Sequence, residues 1–236
     1  MSYVFVRAAV KLTACAAALS AATGAAADAQ GAGPVVSDSA SGAVAAIASV
    51  PLGGYDFAAQ VHQGSVTFKV PKTTCGTEPM VGFALGLGDD DDDQPISLGT
   101  VFVECDEQGA RHYKLSAKAH GVQGSGDEYN VHAGDSVTVS YRVTGSTLTV
   151  TTTDNTTTAT VVASGSSTAA DTHLTFGAFP LFQSGDDLET PDFGKATFSK
   201  VTVNGKRPKN GERIVYRWDI EVGPYDKGSF TLKYAG

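Results

Sequence analysis

Residues 136–153 read Ser-Val-Thr-Val-Ser-Tyr-Arg-Val-Thr-Gly-Ser-Thr-Leu-Thr-Val-Thr-Thr-Thr, and this stretch decides the fold class. Apolar side chains occupy every second position on both sides of a Gly-Ser turn: Val137, Val139, Tyr141, Val143, Leu148 and Val150. This period of two, with β-branched residues, predicts two half-buried strands joined in a hairpin. The hairpin indicates antiparallel β-structure and contains no catalytic motif.

The rest of the chain repeats the same type of pattern. Nine further short apolar or alternating segments are separated by turn residues: 64–70, 80–87, 96–105, 112–120, 158–163, 173–179, 196–203, 214–218 and 229–234. No segment has the amphipathic stripe of a surface helix. About eleven short strands with this spacing predict an all-β domain, a two-sheet antiparallel β-sandwich.

The N-terminal segment predicts export. Arg7 and Lys11 precede a short run of alanine, leucine and small residues, which is typical of a secretory signal peptide over residues 1–29. Leu-Thr-Ala before Cys15 also fits a lipoprotein cleavage box, although Lys11 interrupts the apolar region that such a box requires. We expect a secreted protein with a flexible Gly/Ala/Ser-rich leader over 30–54 and one β-sandwich domain over 55–236.

Export leaves two cysteines, Cys75 and Cys105, after Cys15 is removed with the signal peptide. In an oxidising compartment two cysteines are most simply one disulfide. A free thiol pair and a metal site are the alternatives, but no histidine–cysteine cluster with metal-ligand spacing lies near them.

Composition excludes several classes of function. The formal net charge is −8, with 25 acidic and 17 basic residues, which is unfavourable for nucleic-acid binding. Past the N-terminal segment, no apolar run has the length of a membrane span. There is no phosphate-binding loop and no His-Glu-x-x-His pair, so we expect no cofactor.

A dense acidic run, Asp89 to Asp93, follows Gly88. It is either a solvated loop or a weak calcium site with Asp89, Asp91 and Asp93 as oxygen ligands. A second acidic loop with the same two interpretations contains Asp186, Asp187, Glu189 and Asp192.

Five segments, in order along the chain, match one family pattern: Val-Thr-Phe-Lys-Val-Pro at 66–71, Val-Gly-Phe-Ala-Leu-Gly at 81–86, Ile-Ser-Leu-Gly-Thr at 96–100, Ala-Gly-Asp-Ser-Val at 133–137, and Pro-Asp-Phe-Gly-Lys-Ala-Thr-Phe at 191–198. Together they resemble the glutamic peptidases (the eqolisins, peptidase family G1). The resemblance implies a concanavalin A-like sandwich with a concave groove on one sheet.

The family's chemistry uses a glutamate as general base and a glutamine that positions the attacking water and stabilises the oxyanion. Motif matching places Ser97 at the glutamine position and Thr175 at the glutamate position. A neutral hydroxyl cannot replace a carboxylate base. The resemblance therefore implies a non-catalytic relative that binds an extracellular peptide or glycan in its groove.

Two hydrolytic alternatives remain. His173 is two residues from Thr175, so a Ser97–His173 pair would form if Ser97 faced the same side. Alternatively, the chain is an active acid endopeptidase whose catalytic dyad lies elsewhere, with Glu104, Gln108 and Glu189 as candidates.

The predicted strand at 112–120 places Lys114, Ser116, Lys118 and His120 on one face. If this is the groove face, these residues and His173 form a mildly basic patch suited to an anionic glycan or a peptide carboxylate. If it is not, the face is simply solvated.

Overall fold

The computed structural model describes residues 46–47, 53–58, 62–75, 81–88, 97–106, 108–120, 122–124, 130–167, 173–182, 192–215 and 218–236. These residues form sixteen strands and no helix, so the all-β prediction is confirmed. The strands are β1 (Ala46–Ile47), β2 (Gly53–Ala58), β3 (Gln63–Lys69), β4 (Val81–Gly88), β5 (Ser97–Cys105), β6 (Arg111–Ala119), β7 (Val122–Gln123), β8 (Asn130–Val131), β9 (Ser136–Thr144), β10 (Thr147–Asp154), β11 (Thr160–Ser166), β12 (His173–Phe182), β13 (Lys195–Val203), β14 (Glu212–Val215), β15 (Ile220–Val222) and β16 (Phe230–Tyr234).

The strands form two antiparallel sheets. Sheet 1 has the order β14-β2-β12-β4-β5-β6-β7, with β1 beside β12 and β8 beside β6. Sheet 2 has the order β11-β10-β9-β3-β13-β16-β15. The predicted two-sheet antiparallel sandwich is therefore confirmed.

The hairpin that decides the fold class is β9–β10 of sheet 2. Thr144 pairs with Thr147 across a tight turn in which Gly145 has a φ of 60°. Glycine takes this left-handed conformation without steric penalty, which explains its place in the turn. The apolar positions of both strands are buried, as the alternation predicts.

Several strands differ from the sequence prediction. β1 and the start of β2 lie within the predicted leader, and the short strands β7, β8 and β15 have too few residues to show a period. Of the segment predicted at 214–218, Ile214 and Val215 lie in β14 (Glu212–Val215), and Trp218 lies in a turn, 85% exposed.

The hydrophobic core lies between the two sheets. Phe198 and Phe230 stack with ring centroids 4.7 Å apart, and Phe68 packs against Phe198 at 5.3 Å. Gly99 of β5 marks a close approach of the sheets, since a Cβ there would lie 2.2 Å from Cγ1 of Val139 in β9. Every second residue from Gly99 along β5 therefore points inward.

Cys75 and Cys105 form a disulfide with Cα atoms 5.7 Å apart, which confirms that prediction over the thiol and metal alternatives. No helix in the described part of the chain is long and apolar enough to span a membrane. The predicted signal peptide and Cys15 lie outside the described residues.

Candidate functional site

The candidate site lies on the face of sheet 1 that points away from the core, here called the outer face. Along β6 the residues alternate: Tyr113, Leu115 and Ala117 are buried in the core, whereas Lys114 and its i+2 neighbours are partly exposed. Lys114, Ser116 and Lys118 therefore share a face, as their spacing predicts, whereas His120 does not continue the series. His120 lies in the turn after β6 with a φ of 43°, its Nε2 is buried, and its Cβ would lie 3.3 Å from a Cβ at Gly165 of β11, so it points toward sheet 2.

Strand register places one row of side chains across the whole outer face. Residues directly opposite each other in neighbouring strands project to the same side of a sheet. Starting from Lys118 of β6, the paired residues in order from β14 to β7 are Glu212, Asp56, Thr175, Gly86, Leu98, Lys118 and Gln123. Carboxylates therefore lie at one end of the row and a lysine at the other.

The strongest polar cluster on the outer face is centred on Asp56. Its Oδ2 lies 2.7 Å from Nδ1 of His173, and its Oδ1 accepts a hydrogen bond from the Thr175 hydroxyl at 3.0 Å. The side chain of Asp56 is 11% exposed and that of His173 is 32% exposed. His173 and Thr175 thus lie on the same strand face, as their two-residue spacing predicts.

In this cluster both oxygens of the mostly buried Asp56 carboxylate have hydrogen-bond partners. The contact between Asp56 Oδ2 and Nδ1 of His173 holds the imidazole ring in one orientation. Both carboxylate oxygens have a protein partner, which offsets the desolvation of the charge. The arrangement orients an imidazole well, but it does not present a carboxylate to water.

Ser97 does not contribute to the outer face. It lies two residues from Gly99 on the core side of β5, is 0% exposed, and accepts a hydrogen bond from the His120 backbone N–H at 3.0 Å. His173 lies on the opposite face of the sheet. The hypothetical Ser97–His173 pair is therefore not formed, because one of its members points into the core.

The basic side of the outer face is partly neutralised. Lys114 pairs with Glu104 at 3.0 Å and lies 5.9 Å from the ring centroid of Phe102. Ser116 accepts a hydrogen bond from the side chain of Gln123 at 3.0 Å. Lys118 has no ion pair within the described residues, so it supplies an unneutralised positive charge at this end.

The middle of the outer face is sheltered and has small side chains. Ala84 is 0% exposed and packs with Leu98, which is 2% exposed, in a cluster separate from the main core. Thr100 beside them is 1% exposed and donates to the Phe83 carbonyl at 3.2 Å. The solvent-accessible polar groups of the outer face therefore lie on either side of this buried middle part.

A glutamic-peptidase dyad requires a carboxylate and an amide that face each other. Within the described residues, Gln123 lies five strands from Asp56, about 24 Å along the sheet at roughly 4.8 Å per strand. Glu104 is paired with Lys114, and Gln108 lies in the β5–β6 turn with its backbone N–H bonded to Asp106. Glu189 lies outside the described residues. No carboxylate–amide pair is formed among the residues placed here.

Metal binding has no support on the described part of the chain, where no group of three His, Cys, Asp or Glu residues is arranged to hold an ion. The calcium candidates Asp89, Asp91 and Asp93 lie outside the described residues, as do Asp186, Asp187 and Glu189. Asp192 accepts the Gly194 backbone N–H at 2.7 Å, which is a turn contact.

Asp56 is the site residue that sequence reasoning missed. It lies in Tyr-Asp-Phe, where Tyr55 and Phe57 are buried on the core side and Asp56 faces outward between them. The alternation of two aromatic residues around a carboxylate was the available signal for a strand. The signal was missed because residues 30–54, directly before it, have the composition of a flexible leader.

Three comparisons place this geometry among known proteins. The model of the Peptidase A4 family matches residues 41–221, more than half of the chain. The structure is similar to Scytalido-glutamic peptidase with a peptide-based transition state analogue, at a TM-score of 0.58 and 17% identity over 78% of this chain and 98% of that one. It is also similar to SCP-B, an eqolisin solved with the tripeptide Ala-Ile-His, at a TM-score of 0.57 and 15% identity over the same shares. These structural likenesses concern the fold alone. None of the curated proteins compared with the chain matches it.

Proposed function

The chain belongs to the Peptidase A4 family, the glutamic peptidases, and we propose that it is a secreted, non-catalytic member that binds an extracellular peptide on the outer face of sheet 1. The observation that supports this proposal is the state of Asp56. It pairs directly with Thr175, the position where the family resemblance places the base, and both of its oxygens are bound by His173 and Thr175. A general base must reach the water it activates, and this carboxylate is already engaged.

The charges of the outer face favour a peptide with a carboxylate at one end. Lys118 lies four strands from Asp56 in the same row, about 19 Å at roughly 4.8 Å per strand. An extended peptide of about six residues, at roughly 3.3 Å each, spans that distance. Its carboxylate would meet Lys118, and its polar groups would meet the partly exposed ring of His173. The similar structures with a peptide-based inhibitor and a tripeptide favour a peptide over a glycan here.

One observation favours a second candidate, an acid endopeptidase with a repositioned carboxylate. Asp56 of β2 is directly paired with Thr175 of β12, so a carboxylate stands one strand away from the family's base position. In this candidate a ligand or a shift of Thr175 releases one oxygen of Asp56, which then activates water.

The test separates binding from cleavage. The purified protein is incubated with denatured casein across acid and neutral pH, and products are analysed by mass spectrometry. Binding is measured in parallel on peptide arrays with free and amidated C-termini. We expect no cleavage, and binding that prefers free carboxylates and weakens in Lys118→Ala but not in Lys69→Ala on sheet 2. Cleavage at acid pH that is lost in Asp56→Asn would overturn the proposal in favour of the second candidate.

A further inference from the structure

On the five strands of sheet 2 from β11 to β13, most of the side chains that point away from the core carry a hydroxyl group. On the five strands from β11 to β13 the outward positions alternate with buried ones. Register aligns one hydroxyl residue from each strand in a single row: Thr160, Thr153, Thr138, Thr67 and Ser199. The adjacent row on four of these strands contains Thr151, Ser140, Ser65 and Thr202. We call the outward surface of these five strands the hydroxyl face.

Many of these hydroxyls are bonded to one another across the strands. Thr67 and Thr138 approach to 2.9 Å, and Ser65 and Thr202 to 2.8 Å. Two further hydroxyl pairs are Thr149 with Ser164 at 3.1 Å and Thr153 with Thr160 at 3.2 Å. Each hydroxyl has one donor and two acceptor sites, so a lateral bond fixes its position and leaves capacity for a ligand.

The charge of the hydroxyl face is opposite to that of the whole protein. The chain has a formal net charge of −8, yet the outward positions of these five strands contain no aspartate or glutamate. They contain four exposed cations, and none has an ion pair within the described residues: Lys69, Arg142, Lys195 and Lys200. A solvated back surface of an acidic protein is expected to share the acidic excess.

Lys200 is placed on this face by a β-bulge. The pairing of β13 with β3 shifts between Ser199 and Thr202, and Lys200 has a φ of 53°. Ser199 and Lys200 therefore both face outward beside Thr67, while Val201 returns to the core. Arg142 lies further along β9, in the row of Thr149 and Gln63. Cations thus flank the rows of hydroxyls.

We propose that the hydroxyl face binds an acidic polysaccharide. The hydroxyl rows are separated by about 6.6 Å along each strand and about 4.8 Å between strands, so they present repeated hydrogen-bonding positions to a polymer of repeated hydroxyl groups. The four cations take the polymer's carboxylates. Threonine has a single side-chain torsion restricted by its branched Cβ, and the lateral bonds restrict it further. Little side-chain freedom is lost when a ligand docks.

This surface lies on the opposite side of the sandwich from the outer face of sheet 1. The proposal therefore does not depend on the proposed peptide-binding function. It gives the protein a second contact, through which it is held at a charged extracellular matrix while sheet 1 stays accessible.

The test uses polygalacturonate as the acidic polysaccharide and poly-glutamate as an acidic polymer without sugar hydroxyls, with binding measured by affinity electrophoresis and calorimetry. We expect tighter binding to polygalacturonate, weakened by salt. Lys200→Glu combined with Arg142→Glu should weaken it at least about tenfold through lost and reversed charge. Lys209→Glu, at an exposed lysine in the segment before β14 of sheet 1, makes the same charge change as Lys200→Glu and should leave binding to polygalacturonate unchanged.

The hydroxyls are tested separately by the double variant Ser65→Ala and Thr202→Val, which removes the pair bonded at 2.8 Å. Replacing both members of a bonded pair with apolar residues of similar shape is nearly neutral for folding, so circular dichroism and the unfolding midpoint should stay unchanged. Weaker binding to polygalacturonate, with unchanged binding to poly-glutamate, supports the proposal. Equal binding of the two polymers, equal loss in Lys209→Glu and Lys200→Glu, or no binding to polygalacturonate at low salt each overturns it.

Discussion

The two outward faces of this sandwich are both formed by antiparallel strands, but they present different kinds of side chain. On sheet 1, Asp56, His173 and Lys118 are separated by a sheltered floor of small residues such as Gly86 and Ala84. On the five strands of the hydroxyl face of sheet 2, hydroxyls fill the rows and the charges are all positive. Since the period-two pattern is the same in both, it determines which positions face outward but not what they do. Function is determined by the residue types at those positions.

The largest expected effect concerns the disulfide that connects the two regions. Cys75 follows β3 of sheet 2, and Cys105 ends β5 of sheet 1. Replacing both with serine should lower the free energy of unfolding by about 3–4 kcal/mol, because a loop of this length is no longer constrained in the unfolded chain. Urea denaturation measures the change, and the reduced wild-type protein is the control. A loss below about 1 kcal/mol would show that the disulfide contributes little to the stability of the folded protein.

The next effect compares one side chain from each outward face. Asp56→Ala removes a mostly buried carboxylate and leaves His173 and Thr175 without their acceptor, so we expect a loss of about 2–3 kcal/mol. Thr138→Ala on sheet 2 removes a partly exposed hydroxyl and should cost about 0.5 kcal/mol or less. Thermal and urea unfolding of both variants measure the difference. Equal losses would mean that the Asp56 cluster is not a special structural feature of sheet 1.

Much of the fold follows from local pattern alone. The β9–β10 hairpin, β6 and β13 were predictable because their alternation is long and their turns contain glycine. β7 and β15 were not, because two or three residues show no period. β2 was missed because its glycines and the leader before it have a loop-like composition, although its pairing with β12 is what brings Asp56 to the site.

The site was less predictable, for a physical reason. The shared face of Lys114 and Lys118 follows from spacing within one strand, and so does that of His173 and Thr175. The contact between Asp56 and His173 joins residues 117 positions apart, and it depends on strand order, which no local pattern specifies. Ser97 shows a related limit. The motif match assigned it to a catalytic position, but a match does not specify whether a side chain points inward or outward, and a shift of one residue along a strand reverses the face.

The smallest effect contrasts the hairpin turns of the two sheets. In the β5–β6 turn of sheet 1, the His112 ring bonds the Asp106 carboxylate at 3.1 Å, and the Ala110 backbone N–H bonds it at 2.7 Å. The hydrogen bond from His112 is the main cause that lowers the pKa of Asp106 below its ordinary value of 3.8, and the backbone N–H groups add to it. The β9–β10 turn of sheet 2 contains Gly145 and Ser146 and has no titrating group.

A carboxyl whose pKa is lowered on folding stabilises the folded state above its ordinary pKa, and that contribution is lost as the pH falls through the lowered value. The Ala110 amide resonance should therefore titrate below pH 3.8, while that of Ser146 stays constant. In His112→Ala the Ala110 midpoint should move up toward the ordinary aspartate value but stop short of it, since the backbone N–H bonds remain. An unchanged midpoint in that variant would assign the lowered pKa to the backbone of the turn alone, and the imidazole of sheet 1 would then have no electrostatic role there.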